Sequence, residues 1–323
     1  MHEIGLMRAA LTSRPSPYQH PTGNRHERVH PIATQHHYAH IFSCITKHRL
    51  KPPALGIAWD GVGKGPDDAI WGGEFLTATA QGLTQLAHFL PYYLPGSDCC
   101  TLEPRRSALG LLYSCYGEAA FEMTDLAPMQ AFKATQLVVL RKILTNKINL
   151  PATSSIRRLF DGVASLLNLQ QVVSFEGQAA LTLEFAATQS PVKKAYPFVF
   201  IENDDIQGHS TGGENHSQPI LIDWRPMVRA IVEDCQNAVM TPVIAAKFHN
   251  TLVAIIVEMA RRAQISQVIL AGDCFQNTHL TESVIHRLSA EGFIPYWPQR
   301  TPQNDSDLAV GQVMAAWQYL STR

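Results

Sequence analysis

The chain has no surplus of charge of either sign: 26 Lys and Arg stand against 27 acidic residues, a formal net charge of −1 over 323 residues. Such a balance creates no long-range attraction to nucleic acid or to an anionic membrane, and it argues against direct nucleic-acid binding. No apolar run approaches the roughly 20 residues that a helix needs to cross a bilayer, so no membrane partner is expected. The six cysteines, at 44, 99, 100, 115, 235 and 274, form no Cys-x-x-Cys pair. Adjacency of Cys99 and Cys100 also argues against an ordinary disulfide between them. A reduced, cytoplasmic protein is the expectation. Residues 1–14 carry Arg8 and Arg14 but no signal-type apolar stretch, with a transit peptide as the alternative reading. Residues 12–31 are rich in Pro, Ser, His and Arg and read as an irregular lead-in.

What the chain does have is concentrated in two neighbouring segments. In Gln35-His36-His37-Tyr38-Ala39-His40, two histidines four apart project from one helix face, so His36 and His40 can reach one ion. The apolar strand Ala54-Leu55-Gly56-Ile57-Ala58-Trp59 then ends in Asp60, a hard third ligand. Gly61, Gly63 and Gly65 follow, and glycines let backbone amides approach a phosphate. The competing reading is a polar helix face followed by a tight turn.

Periodicity and punctuation place helices at 35–48 (Thr34 as its cap), 103–117, 127–143, 155–168, 176–188 (Ser174 as its cap), 224–236, 241–263, 277–290 and 306–320. Strands are expected at 54–60, 69–79, 83–90, 267–271 and 292–298, with two more flanking the Gly/Ser/Asn/Asp-rich tract 203–218. The first two strands should form a hairpin across the glycine-rich turn. A chain of this length suits two lobes, 1–150 and 151–323, each with its own core.

Beyond these two segments, further landmarks run in a fixed order: Ile70-Trp71-Gly72-Gly73-Glu74-Phe75-Leu76, Leu94-Pro95-Gly96-Ser97-Asp98, Glu103-Pro104-Arg105-Arg106, Thr153-Ser154-Ser155, Arg158-Leu159-Phe160-Asp161 and Phe175-Glu176-Gly177-Gln178-Ala179-Ala180. Phe248-His249-Asn250-Thr251, Phe275-Gln276-Asn277 and Asn304-Asp305 complete the set. In this order the chain resembles, from about residue 30 onward, the C-terminal TsaD-like domain of the HypF carbamoyltransferases, which mature [NiFe]-hydrogenases. The resemblance implies a mixed α/β, two-lobed fold of the actin, sugar-kinase and heat-shock-chaperone (ASKHA) type. It also implies a helical insertion in the first lobe and a last helix that packs back on that lobe.

Matched residue by residue, the resemblance implies a metal, Fe(II) or Zn(II), held by His36, His40, Asp60 and Asp305, the first three serving catalysis through it. Asp305 reads equally as the cap of the last helix, and His37 as a structural neighbour. A nucleotide (ATP, AMP or carbamoyl-adenylate, with Mg as a further cation) would meet Gly61, Gly63, Asp161, Glu176, Gly177, Gly272, Gln276 and Asn277. Carboxylates at Asp161 and Glu176 suit ribose hydroxyls, which donate hydrogen bonds. Gly72 and Gly73 serve either phosphate approach or close packing, and Arg105 or Arg106 either anion binding or a charged helix start. Cys99, Cys100 and Cys274 have no evident acid or His partner in spacing, so a cysteine nucleophile is not expected. Three positions depart from the family pattern: Val62 replaces a usual threonine, and Asp273 and Asp307 replace usual glycines. Asp273 puts negative charge at a turn expected to face phosphate.

The expected activity is passage of a carbamoyl group from carbamoyl-adenylate to the C-terminal cysteine of a HypE-type partner. Full-length relatives carry upstream acylphosphatase-like, zinc-binding and adenylate-forming domains, so a separate carbamoyl-adenylate-forming protein is the expected second partner. The alternatives are a degenerate nucleotide- or metal-binding homologue acting as a regulatory subunit, and carbamoyl or threonylcarbamoyl transfer to another acceptor.

Overall fold

The computed structural model describes residues 32–202, 218–298 and 308–321. Its elements run α1 (His36–His48), β1 (Ala54–Lys64), β2 (Ile70–Thr79), β3 (Gly82–Phe89), β4 (Tyr92–Tyr93), α2 (Pro104–Tyr116), α3 (Ala127–Gln130), α4 (Ala134–Thr145), β5 (Ala152–Thr153), α5 (Ile156–Leu166) and α6 (Gln178–Thr188). They continue β6 (Val199–Ile201), β7 (Ile220–Asp223), α7 (Arg225–Gln236), α8 (Thr241–Ala263), β8 (Gln267–Ala271), α9 (Thr278–Ala290), β9 (Ile294–Tyr296) and α10 (Leu308–Ser321). The class is mixed α/β around one central sheet ordered β6-β7-β3-β2-β1-β8-β9, with β4 and β5 attached through β2. Strands from both sides of residue 150 share this sheet, because β1 runs parallel to β8 and β3 parallel to β7.

Alternation along β1 sorts its side chains between two cores. Leu55, Ile57 and Trp59 join the larger core with α2, α5, α7 and α8, where Trp59 stacks on Phe275 at 5.5 Å. Ala54, Gly56 and Ala58 face α1, which contributes Ile41, Phe42, Cys44 and Ile45 to a smaller core. Small residues on that face let α1 lie close to the strand: a Cβ on Gly56 would sit 2.7 Å from Ile41 Cδ1. By the same parity Asp60 points to the α1 side.

Local sequence explains most boundaries and corrects several. Gln35, not Thr34, caps α1, its side-chain oxygen accepting from the Tyr38 amide at 3.0 Å. Gly177, not Ser174, precedes α6, and the Ser174 amide instead donates to Gln178 Oε1 at 2.7 Å. The helix expected over 127–143 is two, because Ala131-Phe132-Lys133 breaks it and Phe132 turns into the core. Helix α2, read as part of an insertion, packs against α5 in the main core. Strand β1 also runs past Asp60 to Lys64, so the hairpin turn is Gly65 to Ala69, closed by the Gly65 amide on the Ala69 carbonyl at 2.9 Å. Against the expectation of no such run, one 23-residue helix among the described residues, Thr241–Ala263, is long and apolar enough to cross a membrane by length and composition; 72% of its apolar window is buried inside the fold.

Helix α10 lies along α1 through a backbone approach at Gly311, where any Cβ would run into the Ala39 carbonyl. In an isolated helix Gly→Ala gains about 1 kcal/mol. Here the forced separation costs about 1–3 kcal/mol. Gly311→Ala should therefore lower the urea midpoint of unfolding; a raised midpoint would show that the two helices do not touch at this point.

Candidate metal and nucleotide site

Parallel neighbours β1 and β8 end side by side, with Ala58 opposite Ala271, so Asp60 and the Gly272-Asp273 turn emerge at one sheet edge. Crevices outside the carboxyl ends of parallel strands are the usual ligand positions of α/β sheets. Three side chains converge on the α1 side of this edge. Nε2 of His36 lies 2.8 Å and Nε2 of His40 3.0 Å from the same oxygen, Oδ2 of Asp60, and the two nitrogens are 3.2 Å apart. All three groups stand within 4.8 Å of one another.

These separations match the edges of a coordination polyhedron, which run about 2.9–3.5 Å when metal bonds are about 2.0–2.2 Å. Two imidazoles and a carboxylate are also the donor set that Zn(II) or Fe(II) takes. The residues present therefore fit the metal. The other Asp60 oxygen accepts from the Gly61 amide at 2.6 Å, which fixes the carboxylate plane. Burial works to raise the Asp60 carboxyl, but the hydrogen bonds and charges of His36 and His40 outweigh it and hold it well below the carboxylate range. Asp305 and Asp307 lie outside the described residues.

Beneath the ligands is a second, dry layer. His37 is fully buried; burial, opposed by the Asp60 charge, pushes its imidazole down to about 3. Its Nδ1 is 2.8 Å from Gln35 Nε2, and its ring occupies the space a side chain at Gly63 would need. Gly63 thus gives α1 the clearance its His37 ring needs. Gly61, whose amide is taken by Asp60, packs on Arg157. The Gly72 and Gly73 amides both donate to Glu74 Oε2, at 2.7 and 2.6 Å, and Ser154 Oγ donates to its Oε1 at 2.5 Å. Backbone crowding leaves no room for a side chain at either glycine, as close packing requires. Glu74, Ser154 and Ser155 went unassigned from sequence. Ser155 caps α5 and lies 2.9 and 2.8 Å from the carbonyls of Asp60 and Gly61, tying the ligand strand to that helix.

On the other side of Arg157 opens a cavity of about 250 Å³. Glu176, Gly177, Gln276 and Asn277, expected nucleotide contacts, line it together with Phe160, Phe175 and Leu181. Asp161 does not reach it: the side chain is buried, 3.2 Å from Arg158 Nε, and burial, against the charges of Arg158 and Arg157, pushes its carboxyl up to about 6. Gly272, at φ 95°, crosses so close to the Trp59 carbonyl that no Cβ fits. Asn277 caps α9, its oxygen accepting from the Leu280 amide at 2.8 Å, while its Nδ2 donates to His249 Nε2 at 3.1 Å. His249 Nδ1 donates to the Ala245 carbonyl at 2.8 Å, so this buried ring is neutral and its tautomer is set. Burial also pushes the Cys274 thiol up to about 12, consistent with no thiolate chemistry there. Val62 is 46% exposed near the C-terminal end of β1. Glu103, Arg105 and Arg106 form their own network, with Glu103 2.6 Å from Arg105 and 3.1 Å from Arg106 and the Arg105 guanidinium over Phe132. These contacts belong to the start of α2.

Two measurements follow from this geometry. Elemental analysis of protein purified without a nickel column should find close to one Fe or Zn per chain, and the His36→Ala, His40→Ala double variant should lose most of it; near-normal occupancy in that variant would remove these residues as ligands. Burial pushes the Glu74 carboxyl from its ordinary 4.5 up to about 8. The folded chain then holds a proton that the unfolded chain has released, so the stability Glu74 contributes is full below pH 4.5 and lost as pH rises toward about 8. Denaturation across that window should show wild type declining relative to Glu74→Gln as pH rises, whereas parallel curves would mean Glu74 is ionised throughout.

Residues 56–312 match the family described as "Carbamoyltransferase, Kae1-like Domain, second subdomain". The chain is 38% identical over 295 residues to carbamoyltransferase HypF of Synechocystis sp., covering 87% of this chain and 36% of that protein. It is 30% identical over 301 residues to a shorter carbamoyltransferase HypF homologue of Cupriavidus necator, covering 89% of this chain and 71% of the homologue. A full-length HypF crystallised in the phosphate- and nucleotide-bound form superposes with a TM-score of 0.79 at 31% identity, over 90% of this chain and 36% of that one. HypF of T. kodakarensis gives a TM-score of 0.73 at 28% identity, over 90% and 37%. The chain thus spans about a third of most of the proteins it matches and, with its landmarks in family order and its sheet superposing on theirs, belongs to the Kae1-like domain family of the HypF carbamoyltransferases.

Proposed function

We propose that this chain is the carbamoyl-transfer part of a HypF-type reaction. It would accept carbamoyl-adenylate from a separate activating protein and pass the carbamoyl group to the C-terminal cysteine of a HypE-type partner. One observation carries the reading: the convergence of His36, His40 and Asp60 at the end of β1, beside a carboxylate-lined cavity at the end of the neighbouring β8. The HypF structure with bound nucleotide and phosphate supports a nucleotide in the equivalent cavity.

In this reading the chain's residues bind and orient. Glu176 accepts from ribose hydroxyls, Phe160, Phe175 and Leu181 exclude water from the base, and Asn277, held by His249, presents its amide to the ligand. His36, His40 and Asp60 would hold the metal, with Asp305 as the proposed fourth ligand, and the metal would supply Lewis-acid polarisation of a carbonyl oxygen. The partner's thiolate attacks the carbamoyl carbon, a C–S bond forms as the C–O bond to phosphate breaks, and AMP leaves with that electron pair. We place the division between two lobes near residue 150, with α10 returning to α1 of the first. The cytoplasm is the proposed location, in keeping with six free cysteines.

A second reading, a regulatory or binding homologue with little turnover, draws on Asp273 at the cavity wall. The two are separated by giving the protein preformed carbamoyl-adenylate and a HypE-type acceptor. Mass spectrometry should show the acceptor gaining one carbamoyl group, with the gain lost in His36→Ala and Asp60→Ala. Absence of transfer to that acceptor would overturn the HypE-directed reading and leave the binding homologue in its place unless another acceptor is labelled.

A further inference from the structure

The wall between the metal ligands and the cavity is one side chain, Arg157. Its guanidinium lies over Gly61, next to the ligand Asp60: a Cβ on Gly61 would sit 3.0 Å from Nη1. The same Nη1 is 3.0 Å from Glu176 Oε1, and Nη2 pairs with Asp273 Oδ2. Asp273 stands at the turn after β8, the place where sequence alone predicts a carboxylate repelling phosphate. Its negative charge is instead held by Arg157, while its second oxygen, Oδ1, is buried without a hydrogen-bond partner. Glu176 is bound twice, by Arg157 and by Arg158 at 2.9 Å.

Arg157 is the arginine on the cavity lining, and both of its terminal nitrogens, Nη1 and Nη2, already face carboxylates of the same chain. With Glu184 also on the lining, the cavity carries three acids against one arginine. A polyanion entering this space must compete with the Asp273 and Glu176 carboxylates for the guanidinium and lie beside them. A neutral nucleoside need not, because its hydroxyls and base use Glu176 and the apolar wall.

We infer that Arg157 is the residue that selects for or against charge on the ligand, and that Asp273 acts as an internal counter-ion competing with ligand phosphate for it. The cavity as built takes a nucleoside, or a nucleotide of low charge such as an acyl-adenylate, in preference to a triphosphate. This rests on the nucleotide reading of the cavity and adds to it which ligand charge the cavity accepts and which side chains decide.

The test is calorimetry on the full chain with adenosine and with ATP, without added divalent cation, comparing the ratio of the two affinities. Wild type should favour adenosine. Asp273→Asn, of the same shape, should shift the ratio toward ATP by about 10-fold, the order expected for one formal charge removed at close range. Adding Arg157→Gln to Asp273→Asn should cancel the gain, and Arg157→Gln alone should push the ratio further from ATP. A purely structural role for either residue would move both ligands together and leave the ratio fixed. Asp273→Ser serves the same comparison should the asparagine variant misfold. An unchanged ratio in Asp273→Asn, or a gain that survives Arg157→Gln, overturns the inference while adenosine binding upholds the nucleoside reading. Failure of adenosine to bind any variant overturns that reading and this inference with it.

Discussion

The close seating of α1 on β1 is the constraint on which the rest depends. An imidazole reaches only so far from its helix, so two histidines meet a strand carboxylate only where helix and strand nearly touch. Ala54, Gly56 and Ala58 provide that approach by giving the α1 side of the strand almost no side-chain volume, while Leu55, Ile57 and Trp59 anchor the other side in the main core. Gly63 admits the His37 ring at the far end of the same contact, and Gly311 brings α10 onto α1 from outside. Of the glycines after Asp60, Gly63 gives clearance to the α1 histidines, while Gly61 packs on Arg157 and Gly65 on Trp71.

Burial then sets the chemistry of this contact. His37 and Glu74 are both fully buried, with Nε2 of one 3.9 Å from Oε2 of the other, and burial drives both toward their neutral forms. Neutral groups beneath the ligands leave Asp60 as the principal negative charge facing His36 and His40, and it is the one carboxyl of this layer held well below its ordinary range. A carboxylate that stays ionised with two imidazole nitrogens at 2.8 and 3.0 Å is a site arranged for a cation.

Much of this was legible in the sequence, and the limits of legibility are physical. His36, His40 and Asp60 could be read because an i,i+4 pair and a strand-terminal acid are local patterns, and local geometry alone fixes how they project. The succession of helices and strands was readable for the same reason, since hydrophobic period survives in one dimension. Gln35 as a cap was not, because Thr34 beside it is the better capping residue by type and only tertiary packing buries it. Glu103 and the two arginines after it had a composition fit for anion binding, and the position of Phe132 decided otherwise.

Arg157 shows where sequence reasoning must fail. It lies between the landmarks Thr153-Ser154-Ser155 and Arg158-Leu159-Phe160-Asp161 but belongs to neither. Its partners Glu176 and Asp273 come from the loop before α6 and the turn after β8, so the ion network exists only once three distant segments meet. Asp273 judged alone is a repulsive charge; judged with Arg157 it is a charge offset by a guanidinium that it shares with Glu176. The electrostatic meaning of a substitution at an anion-facing turn therefore lies in the counter-charge that the fold brings to it. A cavity whose only lining arginine is committed to its own acids discriminates by what a ligand must displace as much as by what it touches.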